Sequence, residues 1–145
     1  MIIQKATTDD LESLTELFDL YRVFYDQKSD ITGAREFLKA RLMNDESVVF
    51  FAVEGSNPVG FVQLYPSFSS VSMRKSWVLN DLFVKEQFRG KGAGEKLIHR
   101  AIQLSKETGA KGILLETGKE NKNAQRLYEK IGFEREENYF YYYAN

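Results

Sequence analysis

"VKEQFRGKGAGEKLI" spans residues 84–98. Its three glycines, Gly90, Gly92 and Gly94, fall within five residues and follow Arg89, with Lys91 between the first two. Ahead of them, "SWVLNDLFVKE" has the β-branched and aromatic content of a strand. Behind them, Ala93, Leu97, Ile98, Ala101 and Leu104 recur at helical spacing. Glycines at such a strand-to-helix turn let a ligand come close to the backbone. The first amides of the helix have no internal partner and attract an anion, phosphate above all. Arg89 and Lys91 add positive charge. The competing reading is a tight glycine turn that binds nothing.

Two common phosphate loops do not fit. A Walker A loop needs G-x-x-x-x-G-K-[ST]. The Gly-Lys pairs here, Gly90–Lys91 and Gly118–Lys119, lack both the earlier glycine and the following hydroxyl. A dinucleotide fingerprint needs G-x-G-x-x-G, and its third glycine would fall on Glu95 or Leu97. That fingerprint also opens a fold near its first strand, whereas this loop lies past the middle of the chain. What remains is R-x-x-G-x-G, formed by Arg89, Gly92 and Gly94.

Outward from the loop, the pattern predicts one α/β domain with a mixed sheet over residues 1–145. "MIIQKA" reads as a strand. Leu11, Leu14, Leu17, Phe18, Tyr21 and Tyr25 mark a first helix, capped by Thr7 or Thr8. "AREFLKARLMN" is a second helix. "SVVFFAVE" and "VGFVQLYPSF" form a hairpin across "GSNP". After the loop helix, "ILLET" reads as a strand parallel to the one before the loop. "NAQRLYEKIGF" is a last helix ended by Gly132. "FEREENYFYYYAN" reads as a closing strand or hairpin.

Composition excludes several chemistries. With no cysteine there is no disulfide, thiolate metal site or cysteine nucleophile, and the single His99 excludes a multi-histidine metal site. His99 itself reads as solvated surface. The balance of 20 basic and 21 acidic residues leaves no general nucleic-acid footprint. No apolar run matches a signal peptide or a membrane span, so the expectation is a cytoplasmic protein with no membrane or nucleic-acid partner. Charge is uneven, however. Residues 1–60 hold 11 acids and 6 bases, and residues 85–106 hold six bases and two acids. The second region suits an anion and the first a cation.

Two segments now resemble a known superfamily. "LFVKEQFRGKGAGEKLI" is similar to the acetyl-CoA motif [QR]-x-x-G-x-[GA] of the GNAT N-acetyltransferases. "NKNAQRLYEKIGF" is similar to their N-x-x-A-x-x-L-Y-x-x-x-G-F segment, through Asn121, Ala124, Leu127, Tyr128, Gly132 and Phe133. The likeness covers nearly the whole chain. "VLNDLFV" with "YRVFYDQ" most resembles the small-amine branch, of diamine and D-amino-acid type. The resemblance implies the GNAT fold: a mixed, mostly antiparallel sheet with a splayed central parallel strand pair, flanked by about four helices.

It also implies roles. The main chain of Leu82, Phe83 and Val84 would pair with the pantetheine arm of acetyl-CoA, the acetyl donor and co-substrate. The amides of Arg89, Gly90, Lys91, Gly92, Ala93 and Gly94, extending to Glu95, would hold the pyrophosphate. Asn121 would contact the CoA arm, cap the last helix, or do both. Tyr128 would protonate the departing thiolate, since a phenol with a pKa of ~10 keeps its proton at neutral pH. The competing role for Tyr128 is a core aromatic.

The acceptor side is less defined. An alkylammonium with a pKa of ~10.4 must lose a proton before it attacks. Small-amine relatives often carry a glutamate where this chain has Asn80, which cannot be a base. Asp81 and Glu116 are the nearest candidates, with relay through solvent as the alternative. By strand alternation Asp81 points to the opposite sheet face from Asn80. Tyr21, Tyr25, Asp26 and Asn80 are candidate acceptor contacts, and Tyr65 lies on the third strand. Aromatics with a carboxylate suit an ammonium, although Tyr21 and Tyr25 also have core spacing. No metal is needed. Direct transfer in a ternary complex is expected, with a main-chain amide near Leu82 to Val84 polarising the acetyl carbonyl. The tyrosine-rich end at 139–143 reads as strand and homodimer surface. Beside a small-amine enzyme, the same fold admits a protein or peptide acetyltransferase and a non-catalytic acyl-CoA sensor.

Overall fold

The computed structural model describes residues 1–145, which divide into two compact units, Met1–Leu115 and Glu116–Asn145. The first unit holds β1 (Ile2–Lys5), α1 (Leu11–Phe24), α2 (Ile31–Met43), β2 (Val48–Glu54), β3 (Asn57–Ser69), β4 (Arg74–Val84), α3 (Ala93–Glu107) and β5 (Ile113–Leu114). The second holds α4 (Lys122–Ile131). The sheet order is β1-β2-β3-β4-β5, antiparallel throughout except for the parallel β4–β5 pair. This is the expected mixed, mostly antiparallel α/β sheet with four helices.

Local chemistry explains the boundaries. Thr7 caps a short 3-10 turn at Thr8–Asp10 that leads into α1, and Asp10 completes the capping box by accepting from the Thr7 amide at 2.9 Å. Asp30 caps α2 by accepting from the Gly33 amide at 2.9 Å. Between these helices, buried Asp19 accepts from Ser29 Oγ at 2.6 Å and from the Asp30 amide at 2.7 Å, which ties the connection to α1. Gly55, with φ of 65°, makes the β2–β3 turn.

Strand alternation divides the core in two. Val49, Phe51, Val53, Phe61 and Phe83 face α1 and α2, packing on Leu11, Leu14, Leu17, Phe18, Ala34 and Leu38. Phe50, on the opposite face, lies under α3, where the Arg100 guanidinium stacks on its ring at 4.3 Å. Leu97, Ile98 and Ala101 of α3 are fully buried, as their spacing predicts.

Three expectations change. Residues 133–145 form neither strand nor hairpin, despite their strand-like composition. The aromatics at 139–143 are exposed and the stretch has no ladder partner, and a strand exists only where another edge pairs with it. The strand expected over "ILLET" shrinks to Ile113–Leu114. The parallel pair therefore ends the sheet, rather than lying at its centre, because no further strand adds beyond β5. β5 pairs only with Trp77 and Val78, so β4 runs from Leu79 to Val84 without a strand on that side.

Candidate active site

In the first unit the loop from β4 to α3 is a glycine turn at an uncapped helix start. Gly90 and Gly92 have φ of 78° and 84°, which only glycine adopts readily. Gly92 is the N-cap of α3, and no side chain caps that helix start. The first intrahelical bond runs from the Lys96 amide to the Gly92 carbonyl, at 3.0 Å. The earlier amides of the turn thus have no helical carbonyl to bond. Gly90, Lys91 and Gly92 are exposed, whereas Ala93 is buried and anchors the turn. These features suit a pyrophosphate.

Arg89 is used differently from the other loop residues. Its amide donates to the Glu86 carbonyl at 3.2 Å, and its Nε donates to the Val84 carbonyl at 2.8 Å. Its guanidinium lies over Phe24 and Phe83, at 5.1 and 5.7 Å from the ring centres. Arg89 therefore locks the loop onto the end of β4 and onto α1. The Lys91 ammonium lies 5.5 Å from the Phe88 ring centre. Glu95 adds a carboxylate to the first turn, 3.7 Å from His99. Leu82 and Val84 are half-buried and Phe83 is buried in the core facing α1.

A second constellation lies on the α1 and α2 face of the same unit. Gln63 pairs with Asp81 across the β3–β4 ladder, while the next β3 residue, Leu64, pairs with Leu79. Asn80 is the extra residue of a β-bulge. Because Gln63 and Leu64 face opposite ways, so do Asp81 and Leu79. Plain alternation along β4 would have put those two on one face. The bulge turns Asp81 to the face of Phe61 and Phe83, and Asp81 is only 4% exposed.

The Asp81 carboxylate accepts from Gln63 Nε2 at 2.7 Å and from Asn80 Nδ2 at 3.0 Å. None of the chain's ion pairs involves it. Burial, then the Asp81 charge and hydrogen bonding to it, push the Tyr21 phenol far above its ordinary value. Burial and the Asp81 charge likewise push Tyr65 up to about 12, against a smaller opposite pull from Arg41. Both phenols stay protonated at neutral pH. Tyr21 also packs among Tyr25, Phe61 and Phe83, with ring centres 5.0, 5.7 and 6.1 Å away.

Of the expected acceptor contacts, Tyr21, Tyr25 and Asn80 thus gather with Asp81 through these contacts. Asp26, just after α1, lies in the left-handed region, with φ of 63°, and is exposed. Gln63 was missed by sequence reasoning. The signal was there: a lone glutamine inside the apolar run "VGFVQLY", in a strand that buries both faces.

The second unit holds the other candidates. Glu116 is exposed. Asn121 caps α4, its side-chain oxygen accepting from the Ala124 amide at 3.3 Å. Tyr128 is half-buried on the apolar side of α4, and its ring centre is 5.9 Å from that of Phe133. Its carbonyl takes the Gly132 and Phe133 amides and closes the helix at the left-handed Gly132.

With this geometry in view, the likeness to known proteins is informative. The Acetyltransferase (GNAT) family model matches residues 14–133. The chain is 46% identical over 145 residues to "Uncharacterized N-acetyltransferase YhfO" of Bacillus subtilis (strain 168), covering 100% of this chain and 97% of that one. It is 32% identical over 102 residues to N-alpha-acetyltransferase 30 of Xenopus laevis, covering 70% of this chain and 37% of that one. A crystal structure of a probable acetyltransferase superposes with a TM-score of 0.94 at 38% identity, covering 100% of this chain and 97% of that chain. The uncapped glycine turn, the parallel β4–β5 pair and these matches agree: the chain belongs to the GNAT family of acetyltransferases, enzymes that take the acetyl group from acetyl-CoA.

Proposed function

We propose that this acetyltransferase acts on a small primary amine, by direct transfer in a ternary complex. The observation that carries the reading is Asp81, a buried carboxylate with neutral donors and no cation, set among aromatic rings. A buried carboxylate is costly unless it is paired, and an ammonium is its natural partner. The amine gives a proton to Asp81, directly or through water, and its lone pair attacks the thioester carbonyl. A C–N bond forms, the C–S bond breaks, Tyr128 protonates the thiolate, and the second proton shed by the new amide nitrogen restores the Tyr128 phenol through solvent. Main-chain groups of Leu82 to Val84 bind the pantetheine arm, and the turn from Gly90 to Glu95 binds the pyrophosphate. Glu116 is the alternative base.

The likeness to N-alpha-acetyltransferase 30 favours a second reading, in which the amine is a peptide N-terminus. CoA release measured with a panel of mono- and diamines, amino acids and short peptides separates the two. Release with amines at low KM supports the first reading, and release with peptides alone supports the second. Tight acetyl-CoA binding with no release from either class would overturn both and leave a sensor. Tyr128→Phe should lower kcat by about 10²-fold, the scale of general-acid catalysis, and leave CoA affinity unchanged. An unchanged kcat removes Tyr128 from the reaction.

A further inference from the structure

Gln63 is fully buried, and its two side-chain ends have different fates. Nε2 donates to Asp81 Oδ2 at 2.7 Å, which fixes the orientation of the amide, because only the nitrogen can donate to a carboxylate. Oε1 is then left buried with no hydrogen-bond partner. An unpaired buried amide oxygen is uncommon and is a standing cost to the fold, unless something else uses it. Beside it lies a carboxylate with no cationic partner. The two together are rich in acceptors, and every donor they have is neutral. Tyr65 is two residues along the same strand face, and the Tyr21 ring packs against Phe61 and Phe83 on that face.

We infer that Gln63 is a specificity-determining residue for the acceptor. With Asp81 it forms a two-acceptor site that selects a primary ammonium by its N–H groups as well as by its charge. This rests on the reading of the chain as an amine acetyltransferase. The ammonium gives one N–H to the carboxylate and a second N–H to Gln63 Oε1. A cation of similar charge without N–H satisfies Asp81 electrostatically but leaves the amide oxygen unpaired. The site therefore rejects it. The same logic excludes quaternary amines as ligands and explains why a polar side chain is kept in the centre of an apolar strand.

The probe is methylammonium, the smallest primary ammonium, with tetramethylammonium as the control without N–H. Both are titrated into the full chain while the Asp81 carboxyl carbon and the Gln63 side-chain amide are followed by NMR. Methylammonium should shift both signals saturably, and tetramethylammonium should bind at least about tenfold more weakly, as expected from losing a hydrogen bond to a charged group. Gln63→Leu should weaken methylammonium about tenfold and leave the affinity for CoA, measured by calorimetry, unchanged. The inference is overturned if wild-type signals do not respond to methylammonium, if both cations bind alike, or if Gln63→Leu binds methylammonium as wild type does. The wild-type titrations decide the matter even if the variant folds poorly. A chain that passes them but releases no CoA keeps the ammonium site and loses the enzymatic reading. A chain that releases CoA with amines but fails them keeps the reaction and loses the role of Gln63.

Discussion

At the scale of single residues, side chains in the first unit set testable behaviour. Tyr21 and Tyr65 hold their protons more tightly in the folded chain than a free phenol does. As pH rises, the unfolded chain ionises first, at ~10. The stability from this source is complete below that pH and is lost as pH climbs towards the folded value of about 12 for Tyr65. Urea midpoints should thus fall between pH ~9 and ~11.5 in wild type, and fall less in a Tyr21→Phe, Tyr65→Phe double variant. Equal slopes would show that neither phenol is coupled to folding. Gly60 is a different case. A Cβ there would lie 2.7 Å from the Phe83 carbonyl oxygen and 3.2 Å from Val84 Cα. Gly60→Ala must part β3 from β4 just where β4 enters the loop. It should cost about 1–3 kcal/mol by urea unfolding, and a midpoint equal to that of wild type would contradict the close packing.

At the scale of elements, the proposed donor site rests on the start of α3. Gly92→Ala has open space for its Cβ but must hold alanine at φ of 84°. Stability should drop by about 1 kcal/mol, and the affinity for CoA, measured by calorimetry, should fall about tenfold as the first-turn amides turn away. Gly94→Ala, with only an ordinary contact at 4.0 Å to Val84, should be far milder in stability. If both variants bind CoA like wild type, the turn does not hold the pyrophosphate. This element was legible in sequence because its determinants are local: glycine content, helical spacing and an N-terminus without a cap. The same holds for Thr7 at α1 and Gly132 after α4. The ends of β4 and β5 were not legible, because strand length depends on the partner edge. "ILLET" has strand composition over five residues, yet two pair.

At the scale of the whole molecule, the tail is the open face. Tyr139, Phe140, Tyr141, Tyr142 and Tyr143 are 70–94% exposed. Five such side chains at ~150–250 Å² each offer an area per copy comparable to the ~800 Å² each partner buries in a standard interface. A second copy of the chain is the occupant proposed for them. Size-exclusion chromatography with light scattering should give a dimer, and replacing the five aromatics with serine should give a monomer. A wild-type monomer at micromolar concentration would end that reading. What the sequence by itself determined is the glycine turn with its helix and, separately, the Asn121–Phe133 segment, each specified by neighbours along the chain. The tertiary structure alone decided the cluster around Asp81. Tyr21, Gln63 and Asp81 lie far apart in sequence and meet only because the β3–β4 register pairs two of them and α1 packs the third against the same face. The bulge at Asn80 sets which face that is. A one-residue shift in a strand reverses every side chain beyond it, and no local pattern in β4 announces the shift.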